Sequence, residues 1–181
     1  KTRVVIGGSH GKTTITAIIL HVLKHCKKHF DYLIGAQVEG FDTMVNITED
    51  APVAIFEGDE YLSSSVDKRP KFLLYKPNIA LLSGIAWDHI NVFPTYNYYL
   101  EQFKKFIDCI EPNGKLIYCE ADNELKKLIY ESRNDITKIP YSTAHNKIEN
   151  GITYLLSSNT KQRKLKIFGE HNMMNINGAH L

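Results

Sequence analysis

The stretch Arg3-Val4-Val5-Ile6-Gly7-Gly8-Ser9-His10-Gly11-Lys12-Thr13-Thr14-Ile15 decides the fold. Its first four residues read as a short buried strand. Beyond the glycines, Ile15, Ile18, Ile19, Val22 and Leu23 recur at the spacing of one helical face. Strand, glycine loop and helix in that order turn backbone N–H groups inward on an anion, and the helix N-terminus adds positive potential. The general phosphate-loop pattern G-x-x-x-x-G-K-[ST] asks for Gly where Ile6 stands, so the strict pattern fails. Gly8, Gly11, Lys12 and Thr13 keep the chemistry: Lys12 can meet β and γ phosphate oxygens, and Thr13 can offer a hydroxyl to Mg²⁺. A glycine-rich turn that only caps a helix is the alternative, and the strand before and helix after favour the nucleotide.

Outward from this loop the chain alternates strand and helix. Tyr32 to Gly35 reads as a second strand, and Glu39 to Asp50 as loop or weak edge structure. Pro52 to Phe56 and Ile79 to Leu82 are short apolar runs, as expected of parallel strands covered on both faces. From Tyr99, the positions Leu100, Phe103, Phe106, Ile107 and Ile110 predict a helix that Pro112, Asn113 and Gly114 stop. Lys115 to Cys119 is the next strand, Leu125, Leu128 and Ile129 mark a short helix, and Ile136 to Pro140 is a further strand. Ile152 to Leu156 and Leu165 to Phe168 alternate around Ser157 to Thr160, which predicts a hairpin. Met173, Met174, Ile176, Ala179 and Leu181 suggest a last helix. The expected class is α/β, a mostly parallel P-loop-type sheet flanked by helices, with a small antiparallel hairpin near the C-terminus. Ligands of such sheets sit at the carboxyl ends of the strands.

Composition narrows the function. At 181 residues the chain holds one ordinary domain, since domains span ~100 to 200 residues. Its net charge of +2 is too small for a protein whose main work is holding nucleic acid or an anionic membrane. No apolar run approaches the ~18 residues of a membrane span. Cys26, Cys109 and Cys119 lack Cys-x-x-Cys spacing and suggest thiols in a reducing cytoplasm, not disulfides or a zinc site. Lys1 leads into an apolar strand without initiator Met or leader, and the last helix lacks a stop signal. The expectation is one domain of a longer cytoplasmic protein.

A nucleotide loop needs oxygen ligands for its metal, and Glu57, Asp59 and Glu60 follow a buried strand. Glu57 is the first candidate, because Mg²⁺ takes one or two carboxylates together with phosphates and water. Asp88 and His89 follow the next strand in the same way. His21, His25 and His29 lie beside Lys24, Lys27 and Lys28 and read as a solvated basic helix end, favourable against the helix dipole. Tyr96, Tyr98 and Tyr99 read as packing and surface.

Four motifs in order, GGSHGKTT at Gly7 to Thr14, FEGDEY at Phe56 to Tyr61, AWDH at Ala86 to His89 and GEHNMMN at Gly169 to Asn175, resemble the Mur ligase family of peptidoglycan synthesis. They span almost the whole chain and correspond to that family's central ATPase domain. The resemblance implies ATP and Mg²⁺ as cofactors, residues 1–181 as the ATP-binding domain, and UDP-binding and C-terminal ligase domains on either side. It places Gly8, Ser9, His10, Gly11, Lys12, Thr13 and Thr14 around the phosphates and gives Lys12, Glu57 and His89 the catalytic roles. Thr13 and Glu57 would bind one Mg²⁺, with His89 and Glu57 at the second. His171 would lie near base and ribose, Asn175 would read adenine as an amide can, and Asn172 belongs to the same motif. Some relatives carry a carbamylated lysine shortly after the histidine; Lys104 stands at that distance with Lys105 beside it, and other branches do without the group.

Within the family, Glu57 to Pro77, with Asp67, Lys68, Arg69, Lys71 and Phe72, resembles the branch joining L-alanyl-γ-D-glutamyl-meso-diaminopimelate to UDP-N-acetylmuramate in peptidoglycan recycling. The branch adding L-alanine to the same acceptor is the alternative. Folylpolyglutamate-synthase-type ligases, and a nucleotide-binding module inactive alone, are the rivals. The implied partners are small-molecule substrates and flanking domains of the same enzyme, with no nucleic acid or membrane.

Overall fold

The computed structural model describes residues 1–87, 92–156 and 162–181. Five strands arise where the apolar runs predict them: β1 (Thr2–Gly7), β2 (Asp31–Leu33), β4 (Val53–Glu57), β5 (Ile79–Leu82) and β6 (Lys115–Cys119). They join β3 (Val45–Asn46) and β7 (Thr137–Tyr141) in a seven-stranded sheet of order β3-β2-β4-β1-β5-β6-β7. All neighbours pair in parallel except β3, an antiparallel edge on β2. Among the described residues, four helices flank it: α1 (Lys12–His25), α2 (Tyr96–Asp108), α3 (Asn123–Tyr130) and α4 (Glu170–His180).

Alternation along each strand divides the core in two. Val5, Ala80, Leu82 and Leu116 point to α2 and α3, where they meet Phe72, Phe103, Phe106 and Leu125. Ile6, Leu81 and Ile117, their neighbours in sequence, point to α1 and α4, among Ile15, Leu20 and Met174. Both faces are covered, which is why these strands read as unbroken apolar runs. Helices leave β1 and β5 toward opposite faces, so the carboxyl end of β1 is a topological switch point where a crevice opens.

Helix α2 starts at Tyr96, ahead of the apolar positions from Tyr99, because Thr95 caps it by accepting from the Tyr98 N–H at 3.2 Å. Tyr99 is buried while Tyr98 is 42 % exposed, in keeping with packing and surface roles. Thr95→Ala is expected to destabilise the domain by about 1 kcal/mol through loss of that cap; urea denaturation would detect it, and an unchanged midpoint would contradict it.

Two expectations need correction. In α1, Val22 is 55 % exposed, and the buried residues are Ile15, Thr16 and Leu20, because α4 packs to one side of the expected stripe. Near the C-terminus the antiparallel addition has three strands, β8 (Asn146–Glu149), β9 (Ile152–Leu156) and β10 (Gln162–Lys164), in the order β10-β9-β8. Leu165 to Phe168 is not a strand; only the Leu165 N–H prolongs the pairing, to the Thr153 carbonyl at 2.8 Å. The expected turn, Ser157 to Thr160, lies outside the described residues. The turn before β9 is Asn150-Gly151, both with positive φ, the pairing that favours tight hairpins.

Among the described residues no helix is long and apolar enough to cross a membrane. Cys26 is exposed, Cys109 half-buried and Cys119 buried, and all are free thiols.

Candidate nucleotide site

The loop after β1 leaves the sheet at Gly8, whose φ of 124° lies where L side chains are strained. Gly11, φ 81°, precedes the first turn of α1, and its carbonyl accepts from the Ile15 N–H at 2.9 Å. The segment after β5 braces the loop. Ser9 N–H donates to the Gly84 carbonyl at 2.9 Å, Ser83 N–H to Gly7 at 3.1 Å and Ala86 N–H to Ser9 Oγ at 3.1 Å. Ser83 Oγ also donates to the His10 carbonyl. The free N–H groups at the start of α1 thus open on a fixed concavity.

Two carboxylates at the end of β4 grip the loop's side chains. Glu57, 7 % exposed, accepts from Thr13 Oγ1 at 2.6 Å and, through its other oxygen, from the Gly35 N–H at 2.7 Å. Glu60, 1 % exposed, faces Lys12 Nζ at 2.9 Å, and the same ammonium donates to the Gly8 carbonyl at 2.6 Å. Beside them lies a cavity of about 430 Å³ bordered by Lys12, Gly35, Glu57, Asp59, Tyr61, Lys71 and Tyr75. Lys71 pairs with Asp59 at 2.9 Å, and that hydrogen bond raises the lysine's pKa. Burial raises that of the Tyr75 phenol.

On the other side of the loop a cavity of about 290 Å³ is lined by His10, Gly11, Ser83, Tyr141, His171, Met174 and Asn175. Asn175 lies so close to Gly11 that a Cβ there would stand 2.5 Å from its Oδ1. Tyr141, the last residue of β7, packs against Gly178, where a Cβ would stand 3.0 Å from the ring, and burial pushes its phenol pKa up. Loop, amide and aromatic ring form a slot with the size and chemistry to hold a base and sugar beside phosphates.

The structure therefore brings together Gly8, Ser9, His10, Gly11, Lys12, Thr13, Glu57, His171 and Asn175, all at one end of the sheet. Thr14 faces elsewhere, along a groove of α1. Asn172 lies in that groove too, donating to the Phe168 carbonyl at 2.8 Å, so it supports the start of α4 and not the slot. His89 lies outside the described residues, as does Asp88. Lys104 is exposed on α2. His21 packs edge-on against Phe41, and His29 stands 3.8 Å from Asp50, as befits a basic surface. Ser83, Tyr141 and the pairing of Glu60 with Lys12 were not singled out by the sequence; their common signal is position at or just past a strand's carboxyl end.

Thr13 and Glu57 fit a Mg²⁺ that takes its remaining ligands from phosphate and water. Among the described residues no group of three or more His, Cys, Asp or Glu could hold a metal ion.

Residues 6–181 match the description Mur ligase middle domain. The chain belongs to the Mur ligase middle-domain family. Among related sequences, the UDP-N-acetylmuramate–L-alanine ligase of Treponema pallidum (strain Nichols) is 26 % identical over 186 residues, covering 96 % of this chain and 37 % of that protein. The UDP-N-acetylmuramate–L-alanyl-gamma-D-glutamyl-meso-2,6-diaminoheptandioate ligase of Escherichia coli (strain K12) is 29 % identical over 122 residues, 67 % of this chain and 26 % of that one. The chain thus spans about a third of the length of such relatives. Among solved structures, the corresponding ligase from Neisseria meningitides superposes with a TM-score of 0.79 at 23 % identity, over 98 % of this chain and 59 % of that one. MurF ligase from Thermotoga maritima in complex with ADP gives 0.73 at 19 %, over 98 % and 44 %. These likenesses establish the Mur ligase fold, a parallel sheet with its small antiparallel companion.

Proposed function

We propose that this Mur ligase middle domain binds Mg-ATP and supplies the phosphoryl-transfer half of a cytoplasmic amide-forming ligase acting on UDP-N-acetylmuramate in peptidoglycan recycling. The observation that carries the reading is the pairing of Lys12 with Glu60 and of Thr13 with Glu57 at the N-terminus of α1. Cation, hydroxyl and carboxylates stand where a triphosphate on the loop would end. Lys12 would exchange its protein partners for β and γ oxygens, and the N–H groups of the loop would orient the phosphates. Thr13 and Glu57 would hold one Mg²⁺ and Glu57 with His89 a second, and such ions neutralise phosphate charge when bound. His171 and Asn175 would contact ribose and adenine.

In the reaction, a carboxylate oxygen of the acceptor attacks the γ-phosphorus and ADP leaves. The amine of the incoming peptide then attacks the acyl carbon, phosphate departs and the nitrogen loses a proton. The chain's own work is to hold the phosphates still and meet their developing charge, where most catalysis of this class resides. Flanking domains of the same enzyme would bind the uridine nucleotide and the peptide. Lys71 and Phe72, following Asp67-Lys68-Arg69, favour the tripeptide-adding branch. The L-alanine-adding branch is the second reading, favoured by the 96 % coverage of this chain in the Treponema comparison.

Calorimetry of this chain with ATP and Mg²⁺ is expected to show one site, and Glu57→Gln to abolish most of the Mg²⁺ dependence of binding; no heat of binding in the unaltered chain would refute the nucleotide reading. Comparing tripeptide with L-alanine as co-substrate of the complete enzyme separates the branches.

A further inference from the structure

We propose that Asp122 is a positioning residue for the nucleotide loop, acting through the segment Ser83 to Ala86. The inference deepens the nucleotide reading above and rests on it only for the affinity it predicts. Asp122 lies between β6 and α3, outside all four motifs, and both of its carboxylate oxygens serve backbone donors. Oδ1 accepts from the Leu125 N–H at 3.0 Å and so caps α3. Oδ2 reaches out of the helix to accept from the Ile85 N–H at 2.7 Å. Ile85 is 1 % exposed, so without Asp122 its N–H would be left without a partner in a dry place.

What Oδ2 fixes is the brace of the loop. On one side of the segment stands Asp122; on the other are the bonds of Ser83, Gly84 and Ala86 to Gly7, Ser9 and His10. The approach is close enough that a Cβ on Gly84 would stand 3.3 Å from Asp122 Oδ2 and 3.7 Å from Ser9 Oγ. Loop N–H groups bind phosphate strongly only if they already point at it, since ordering them on binding costs free energy. Asp122 sets that order from a different element.

Capping and bracing can be separated, because the two tasks need two acceptors. Asparagine has one acceptor oxygen, so Asp122→Asn keeps the cap and turns an N–H₂ toward the Ile85 N–H. Asp122→Ser caps as well and cannot span to Ile85. Both variants are expected to weaken Mg-ATP binding by the 181-residue chain about tenfold, the equivalent of one lost buried hydrogen bond. They should also speed hydrogen exchange of the Ser9 amide in the nucleotide-free chain. Ser9→Ala, which removes the bond from the Ala86 N–H, should add less than its own effect to Asp122→Asn, since both loosen one segment. Affinity within twofold of the unaltered chain, with Ser9 exchange unchanged in both folded variants, would leave Asp122 as a helix cap alone and overturn the proposal. If the unaltered chain binds no ATP, the nucleotide reading falls, and the exchange measurement still decides the role of Asp122.

Discussion

Lys12→Ala in the complete ligase is expected to lower ADP release about a thousandfold and, separately, to destabilise the fold. The first effect follows from removing the ammonium that sits on the loop at the Gly8 carbonyl: donors aimed at charge developing in phosphoryl and acyl transfer are worth ~10² to 10⁵ in rate. The second has another origin. Glu60 is 1 % exposed and faces Lys12 Nζ at 2.9 Å, so the substitution leaves a buried carboxylate without that ammonium. Breaking a buried pair from one side costs about 3 kcal/mol. The two effects part in Lys12→Ala/Glu60→Gln, where most of the stability should return and the activity should not. Chemical denaturation and a coupled ADP assay measure both, and turnover persisting in Lys12→Ala would remove the basis for the proposed chemistry.

This division of labour explains what the sequence discloses. Lys12, Thr13 and Glu57 are legible because the first two open the helix that follows β1 and the third ends β4, and strand ends at a switch point converge whatever the side chains. The grip of Glu60 on Lys12 joins residues 48 positions apart, and that of Asp122 on Ile85 joins residues 37 apart. Such meetings depend on where two loops cross, which no local pattern encodes. The same contrast runs through the fold. Ile79–Leu82 and Lys115–Cys119 have the bounds that the sequence suggests, because the doubly covered part of each strand is apolar, with only Lys115 exposed at its start. Gln162–Lys164 is polar and exposed throughout; it is a strand because β9 offers a free edge in register, not because of its own residues. Asn150-Gly151 carries a local hairpin signal and joins the pair β8–β9, which the alternation around Ser157 to Thr160 does not include. Val22 fits the helical period of α1, yet only the placement of α4 determines which part of that stripe is covered.

Gly8→Ala is expected to destabilise the domain by roughly 3 kcal/mol and to abolish nucleotide binding. A Cβ at Gly8 would stand 2.4 Å from Ser83 Oγ, 2.9 Å from Ser83 N and 2.9 Å from the Gly84 carbonyl oxygen. A hydroxyl can rotate away; the two backbone atoms cannot, because they belong to the segment held by Gly7 and Ser9. Loop and brace must therefore separate, and the N–H groups lose their common aim. The positive φ of Gly8 adds conformational strain. Gly169→Ala isolates that second contribution, for its φ is also positive, at 90°, and among the described residues no atom beyond its own chain neighbours and helix backbone lies within 4 Å of the added Cβ. It should cost only about 1 kcal/mol and leave ATP affinity near that of the unaltered chain. Equal losses of stability in the two variants would mean that strain, not the contact with Ser83 and Gly84, dictates glycine at position 8. Full ATP affinity in a folded Gly8→Ala chain would show that the phosphates do not rest on this loop at all.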